Sequence, residues 1–511
     1  MESLPIGAVG VLLVSILLFL ALRRSKQRPP LPPGPKGLPL IGNLLDMPTH
    51  YPWKTYVEWG RRYCSDVVHI QLLGFHLVVI NTARSAAELL DKKSTIYSDR
   101  PWLTMMCDLA NHADWDIALM SNNARWKASR VQYQRVLSSE RSKQWRRKQT
   151  LAAYAFGRSL LDAPGELFKH TRYSVGSNIL NVTYDIHALP NGDPWINLAE
   201  RANEIGNAAI SPGSYLVDVF PKLKYLPSWF PGTGFKRDAL EFKKVGESLL
   251  HDPYDHAKRM MLTRNNEESI VSELLGELDD SATAEQRREV EMTTKRSTSV
   301  LYGAGAETNV AALNTFFLAM LLYPDVQENA RKEVSRVTKE GRLPDFSDDL
   351  PYIRAIAKEC LRWRPPVPLG IPHRVTQDDV GLGYRIPKGS IVAGNIWAIL
   401  HDEHVYPHTS EFDPNRFMGS DPNPDPDAVF GFGRRICPGR FFAIDALWIM
   451  IATTVAAFDI EKALDADGRV EEPTAQYTSG FQSRPLPFKC TIKPRTLEMA
   501  LLVRLTAPDS T

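Results

Sequence analysis

Cys437 stands in "FGFGRRICPGR", Phe430 to Arg440, among three glycines, one proline and three arginines. A cysteine can pack, pair with a second cysteine, or hold a metal. Pairing fits poorly, because the five cysteines (Cys64, Cys107, Cys360, Cys437 and Cys490) are scattered, odd in number and never in a C-x-x-C pair. Taken alone, a free cysteine is most often a small buried hydrophobe. Its neighbours here say more. Gly431, Gly433 and Gly439 allow a tight, close-lying loop, and Pro438 suits the first turn of the helix expected from "FFAIDALWIMIATTV". Cys437 then sits at a helix N-terminus, where free N–H groups and the helix dipole favour a thiolate, with Arg435 near to balance negative charge. One thiolate in a rigid, N–H-lined loop suits the axial ligand of a haem iron, with apolar Phe430 helping to tune its potential.

A second candidate lies in "VLYGAGAETNVAALNTFFLAMLLYPD", Val300 to Asp325, within a helical pattern that begins near Glu285. Its apolar spacing predicts a buried helix, yet Gly303, Gly305, Glu307 and Thr308 fall in its middle. Mid-helix glycines cost about 1 kcal/mol each against alanine, and a buried carboxylate costs more unless paired or protonated. Two explanations remain open. A helix kinked at small residues could press against a flat ligand, with Glu307 and Thr308 delivering protons, or the small residues could serve helix packing beside a solvated glutamate. In "AKECLRWRPP", Glu359 and Arg362 share one helix face at i, i+3, a spacing that by itself fits a weak surface pair. Arg416 in "EFDPNRFM" adds a second guanidinium, and a carboxylate between two such groups could lock a loop to the core.

The elements that must position these groups are mostly helical. Helical patterns dominate from about Asn122 to Ala357, while "DVVHIQLLGFHLVVINT" predicts two strands about a turn at Gly74, followed by a helix at Ala83 to Leu90. Short strands are expected again at Pro372 to Ala393 and near Thr478 to Ile492, with a proline-rich loop region at His401 to Asp427. With 511 residues, several domains or one unusually large fold are expected; the pattern favours one large, mainly α domain with a small β lobe, an α+β class. A net charge of +2 gives no electrostatic case for nucleic acid.

The N-terminus carries an apolar run, Ile6 to Leu22, of about 25 Å as helix, followed by Arg23, Arg24, Lys26 and Arg28. Positive charge after the run and no small-residue cleavage site favour an uncleaved anchor over a signal peptide, with the body on the cytosolic side. The expected organisation is residues 1–28 as anchor and basic flank, 29–45 as a proline-rich strap, and 46–511 as the catalytic domain. Leu38, Leu40, Ile41 and Leu44 offer the strap apolar side chains with which to dock.

"FGFGRRICPGR" resembles the haem-binding signature F-x-x-G-x-R-x-C-x-G of the cytochromes P450, matched at Phe430, Gly433, Arg435, Cys437 and Gly439. Three further pieces fall in that family's order: "AGAET" at Ala304 to Thr308, E-x-x-R at Glu359 to Arg362, and F-x-P-x-R-F at Phe412 to Phe417. The resemblance covers the whole chain, anchor and strap of the microsomal class included. The strap, "RPWLTMM" and "SRPLPFKCTIKPR" are similar to the fungal O-methylsterigmatocystin oxidoreductase-like branch.

The resemblance implies a haem-thiolate monooxygenase. Cys437 would be the proximal ligand of haem b, and Glu307 with Thr308 the pair that supplies protons for dioxygen cleavage. Glu359, Arg362 and Arg416 would form a structural triad behind the haem. Trp126 and Arg130 in "ARWKASR", with Arg435, His373 and Arg100, would bind the propionates; His373 keeps a second reading as a cap at a strand start. The chain shows no flavin or nicotinamide motif and no room for a reductase domain, so electrons from NADPH are expected through a separate cytochrome P450 reductase at the endoplasmic reticulum membrane, with cytochrome b5 as a further donor. A mainly apolar pocket is expected from Trp102, Met106, Trp115, Tyr302, Ala306, Leu369, Ile371 and Phe481. That fits a lipophilic small molecule of fungal secondary metabolism, a terpenoid such as a sesquiterpenoid before a polyketide or indole scaffold. Two rivals are a haem-thiolate isomerase or dehydratase, which the Glu307–Thr308 pair argues against, and a tethered haem-binding sensor without catalysis.

Overall fold

The structure is a computed structural model that describes residues 29–210, 213–263, 268–276, 281–339 and 341–506; the expected anchor lies outside them. The proline strap has few N–H groups to donate, and it lies against the small sheet as an acceptor. The Pro33 carbonyl takes the His69 N–H at 2.9 Å, and the Pro30 carbonyl takes the Arg385 N–H at 2.8 Å. Of the four side chains expected to dock, Leu38, Leu40 and Leu44 remain exposed and Ile41 is half-buried.

Helix α1 (Pro52–Arg62) leads into strands β1 (Val67–Leu72) and β2 (Phe75–Ile80). They form a hairpin around Leu73 and Gly74, both at positive φ, which matches the two-residue turn that follows a right-handed strand twist. The helical body follows: α2 (Ala124–Leu137), α3 (Arg146–Asp162), α4 (Leu167–Tyr184), α5 (Pro194–Ile210), α6 (Phe235–Met261), α7 (Ile270–Gly276), α8 (Ala284–Leu322), α9 (Pro324–Thr338) and α10 (Pro351–Trp363). Strands β3 (His373–Arg374), β4 (Asp379–Gly381), β5 (Tyr384–Ile386) and β6 (Ile391–Gly394) come next. The chain then runs through α11 (Arg440–Ala457), β7 (Phe458–Lys462), β8 (Cys490–Pro494) and α12 (Leu497–Leu505). Strand β7 continues an apolar helix without a turn signal, which is why the sequence pattern did not separate it.

Four strands form one sheet in the order β1-β2-β6-β3, with β2 and β6 parallel and the other pairs antiparallel. Pairing of His373 with Val392 fixes the register of β3. The Arg374 N–H donates to Asp99 O at 2.8 Å, so residues 97–100 run alongside β3. This brings Arg100 and His373, 273 positions apart in numbering, to one edge of the body.

Helix α8 is the central element. A capping box starts it: Thr283 accepts from the Gln286 N–H at 3.2 Å while the Gln286 side chain accepts from the Thr283 N–H at 2.8 Å. It is unbroken α-helix from Ala284 to Leu322, with Gly303 and Gly305 within it. Its second half packs Phe316, Phe317, Met320 and Leu321 into the main core with α4, α10 and α11. Both α8 and α11 are long and apolar enough to cross a membrane, but most of each apolar stretch is buried inside the body.

Glu359 and Arg362 are not a surface pair. Both are 0% exposed, and the Arg362 fork donates to both Glu359 oxygens at 2.7 and 2.8 Å. The remaining Arg362 donors reach the carbonyls of Leu400, Thr409 and Glu411. Arg416 adds a third contact, 3.2 Å from Glu359, and the Asp413 N–H a fourth at 2.9 Å. A buried carboxylate is thus held by two guanidinium groups and one backbone N–H, and the network staples the loop of residues 400–416 to α10.

Lysine at position 362 would keep the charge but lose the fork. Arg362→Lys is expected to cost about 1–3 kcal/mol as buried acceptors lose their donors, measured as a lower melting temperature and a smaller folded fraction on size exclusion. A variant that melts like the wild type would contradict a stapling role.

Candidate active site

The loop of residues 430–439 closes one wall of a cavity of about 290 Å3. Gly431 and Gly433 take positive φ, and a Cβ on Gly433 would run into the Leu90 carbonyl oxygen, so only glycine lets this loop lie so close to its neighbour. The Cys437 N–H donates to Phe430 O at 2.7 Å, folding the loop back on itself. Helix α11 begins at Arg440 with Gly439 as its cap, so Pro438 belongs to the turn before the helix rather than to its first turn. Phe430, Cys437 and Gly439 all line the cavity.

Burial pushes the Cys437 thiol up, against the pull of the Gly439 N–H and of the Arg130 and Arg440 guanidiniums. The local electrostatics therefore do not suffice by themselves to ionise the sulfur. A bound metal cation that replaces the proton would supply the missing stabilisation.

Cations gather on a second wall. Arg100 is buried and donates to the carbonyls of Ala118, Ile371 and Pro372 at 2.9, 2.6 and 2.8 Å. Arg435 donates to Ser98 O at 2.8 Å, Ile117 O at 3.2 Å and Met120 O at 2.7 Å. Helix α2 places Trp126 and Arg130 one turn apart; Arg130 donates to Ile436 O at 2.9 Å, and the Trp126 ring lies 4.4 Å below the Arg435 guanidinium. Burial lowers all three arginines from their ordinary value, Arg435 to about 10, and the Arg435 charge adds to the effect on Arg100. His373 holds Tyr97 O through Nδ1 at 2.6 Å, and burial followed by the Arg100 charge lowers it to about 3, so the ring is neutral.

These groups fit a haem. Main-chain carbonyls take the hydrogen bonds of the buried Arg100 and the half-buried Arg130 and Arg435, and no carboxylate is among the residues lining the cavity, which suits two propionates. Leu90, Val300, Leu301, Val429, Phe430 and Phe442 supply the apolar walls that a macrocycle needs.

Thr308 lines the same cavity, its hydroxyl donating to Ala304 O at 3.0 Å. Glu307, one residue away and 7% exposed, does not line it; its carboxylate is ion-paired with Arg484. That pair answers how a carboxylate can be buried in α8. The sequence demanded a counter-ion, but a partner 177 residues away carries no local signal.

Of the expected pocket residues, Leu369 and Ile371 line the cavity. The other six do not. Trp102 is 48% exposed, its indole N–H tied to Asp108 at 2.9 Å. Met106 packs with Ile205, Val217 and Phe242 in a separate cluster, and Trp115 lies against His112. Tyr302 turns toward α5, its hydroxyl donating to Trp195 O at 2.7 Å. Ala306 packs on the main core, and Phe481 sits half-buried outside the lining. Small residues and aliphatics take their places: Ile117, Ala118, Ile179, Ala304, Gly305 and Val367. The segment after Arg100 and helix α8 do reach the cavity, through Ile117, Ala118, Ala304, Gly305 and Thr308, whereas the turn carrying Phe481 does not line it.

If the cationic wall binds propionates, Arg435→Leu should speed haem loss about tenfold, the equivalent of one charge-assisted contact. Transfer to apomyoglobin measures the rate, and an unchanged rate would contradict the assignment.

Residues 32–492 match the family model described as Cytochrome P450. The chain is 39% identical over 490 residues to a cytochrome P450 monooxygenase of Rhodocybe pseudopiperita, covering 94% of this chain and 92% of that one. It is 39% identical over 517 residues to one of Armillaria gallica, covering 98% and 99%. It is 38% identical over 504 residues to the tryptamine 4-monooxygenase of Psilocybe cyanescens, covering 96% and 98%.

Proposed function

The chain belongs to the cytochrome P450 family and is a monooxygenase, and from that premise we propose that it oxidises a neutral, lipophilic terpenoid scaffold, such as a sesquiterpenoid, at this cavity. The observation that carries the reading is the meeting of Cys437, the Arg100–Arg130–Arg435 wall and Thr308 around one apolar space. Aliphatic Ile117, Ile179, Val300, Leu369 and Ile371 support a hydrocarbon ligand, whose burial is driven by the area removed from water. A second reading, an indole scaffold, is favoured by the relative whose name is tryptamine 4-monooxygenase.

The family uses haem, dioxygen and electrons derived from NAD(P)H through a redox partner; here haem b is proposed, with NADPH feeding a separate reductase and cytochrome b5 as an auxiliary donor. When bound, the haem supplies dioxygen reduction and the oxidation of substrate. The chain does the rest. Cys437 would hold the haem iron as its thiolate, and the Gly439 N–H would temper that charge. Arg100, Arg130, Arg435 and His373 would bind the haem propionates, while the apolar walls would exclude water and hold the substrate. Thr308 holds a hydroxyl at the cavity surface, and the Glu307 carboxylate stands behind it as the relay through which that hydroxyl is re-protonated from water. Residues 1–28 are proposed to hold the body at the endoplasmic reticulum membrane, with the catalytic domain on the cytosolic side.

Reconstitution with NADPH, a fungal reductase and a panel of sesquiterpenes should give products carrying one atom from labelled dioxygen. Turnover that needs neither NADPH nor reductase would contradict the proposal and point to rearrangement of a peroxide. Thr308→Ala should keep its haem yet form at least about tenfold less product per NADPH consumed; undiminished coupling would remove Thr308 from proton supply.

A further inference from the structure

Glu307 faces away from the cavity that its neighbour lines, and what holds it there is one side chain. Arg484 meets its carboxylate across the flank of α8. The two are unequally exposed: the Glu307 side chain is 9% accessible and that of Arg484 37%. One end of the pair is therefore inside the body next to Thr308, and the other end is at water.

The placement of Arg484 is built rather than incidental. Residues 477–485 close on themselves through the bridge between Tyr477 and Pro485. Thr478 sits at the centre of this turn: its N–H donates to Arg484 O at 2.9 Å, and its hydroxyl accepts the Arg484 N–H at 3.1 Å while donating to Gln482 O at 3.0 Å. The turn is fastened to the rest of the body at several points, among them the Tyr51 hydroxyl, which donates to Tyr477 O at 2.7 Å. Ser483 N–H donates to Pro366 O at 2.8 Å, the Tyr477 hydroxyl to Thr315 Oγ1 at 3.2 Å, and the Asn207 amide of α5 to Gln482 Oε1 at 2.9 Å. A long, flexible side chain is thus carried on a backbone fixed to α8 and α5. That lowers the entropy lost in keeping one guanidinium on one carboxylate.

We infer that Arg484 is the positioning residue of the proton path, holding the Glu307 carboxyl at the boundary between bulk water and the cavity. The inference rests on the proposed role of Glu307 and Thr308. The Glu307 carboxylate takes up a proton from water at the half-exposed end of the pair and passes it toward Thr308 Oγ1, so it returns to its ion-paired starting state and Arg484 keeps its charge throughout. Without Arg484 the carboxylate is a buried charge lacking its partner, held in no fixed orientation toward Thr308.

The test uses the full-length, haem-loaded protein with NADPH and reductase. Arg484→Gln should lower product per NADPH about fivefold and raise the solvent isotope effect on product formation, with little change in substrate KM; Arg484→Lys should restore most of the loss. Independently of turnover, Arg484→Gln should lower the melting temperature, and this drop should shrink in a Glu307→Gln background, as it must if the two groups pair in solution. Thr478→Ala retains the guanidinium but frees its backbone, and about a twofold loss of coupling is expected; it serves in place of Arg484→Gln should that variant not fold. Wild-type coupling and isotope effect in Arg484→Gln or, in its place, Thr478→Ala, alongside an uncoupled Thr308→Ala, would overturn the inference and leave the Thr308 role standing. Wild-type coupling in Thr308→Ala itself would overturn both.

Discussion

Charge balance inside an apolar cavity is the constraint on which the structure depends. Arg100, Arg130 and Arg435 are brought to one wall with carbonyl oxygens as their hydrogen-bond partners, and Cys437 stands in another wall where burial opposes its ionisation. Guanidiniums are costly to bury without anions, and a thiolate is costly without a cation. A dicarboxylate carrying a central metal ion satisfies both demands at once. The same constraint explains the scaffold: Glu359, Arg362 and Arg416 balance their own charges internally, so they can staple a loop with no ligand.

The position of each charge follows from the fold rather than from chain proximity. The sheet register places His373 beside the segment that carries Arg100, α2 offers Trp126 and Arg130 on one face, and the glycines of the Cys437 loop allow it to lie against Leu90. Helix α8 crosses behind them, presenting Ala304, Gly305 and Thr308 to the cavity and Glu307 to Arg484. Adjacent residues on a helix differ by about 100° in direction. Glu307 and Thr308 therefore face different environments.

Much of this was legible in the sequence, and the reasons differ by residue. Cys437, Thr308 and the Glu359–Arg362–Arg416 set lie in short motifs whose residue types are unusual for their surroundings, so both the mainly helical class and the placement of those groups could be anticipated. The pocket walls could not. Trp102, Met106 and Trp115 lie in the expected segment, yet the direction of a side chain in an irregular stretch is set by tertiary packing. Tyr302 turns away because its hydroxyl finds the Trp195 carbonyl. Arg484 was invisible for another reason: the burial of Glu307 calls for a cation, and the chain has many arginines at comparable distance in sequence.

The central claim is that Cys437 holds an iron as its thiolate within this cavity. The absorption spectrum of the reduced protein under carbon monoxide tests it most directly, wild type against Cys437→Ala. A strongly red-shifted Soret band in the wild type, lost in the variant, is the predicted result. The same band persisting in Cys437→Ala, or a wild-type band at the shorter wavelength of a neutral axial ligand, would contradict the account.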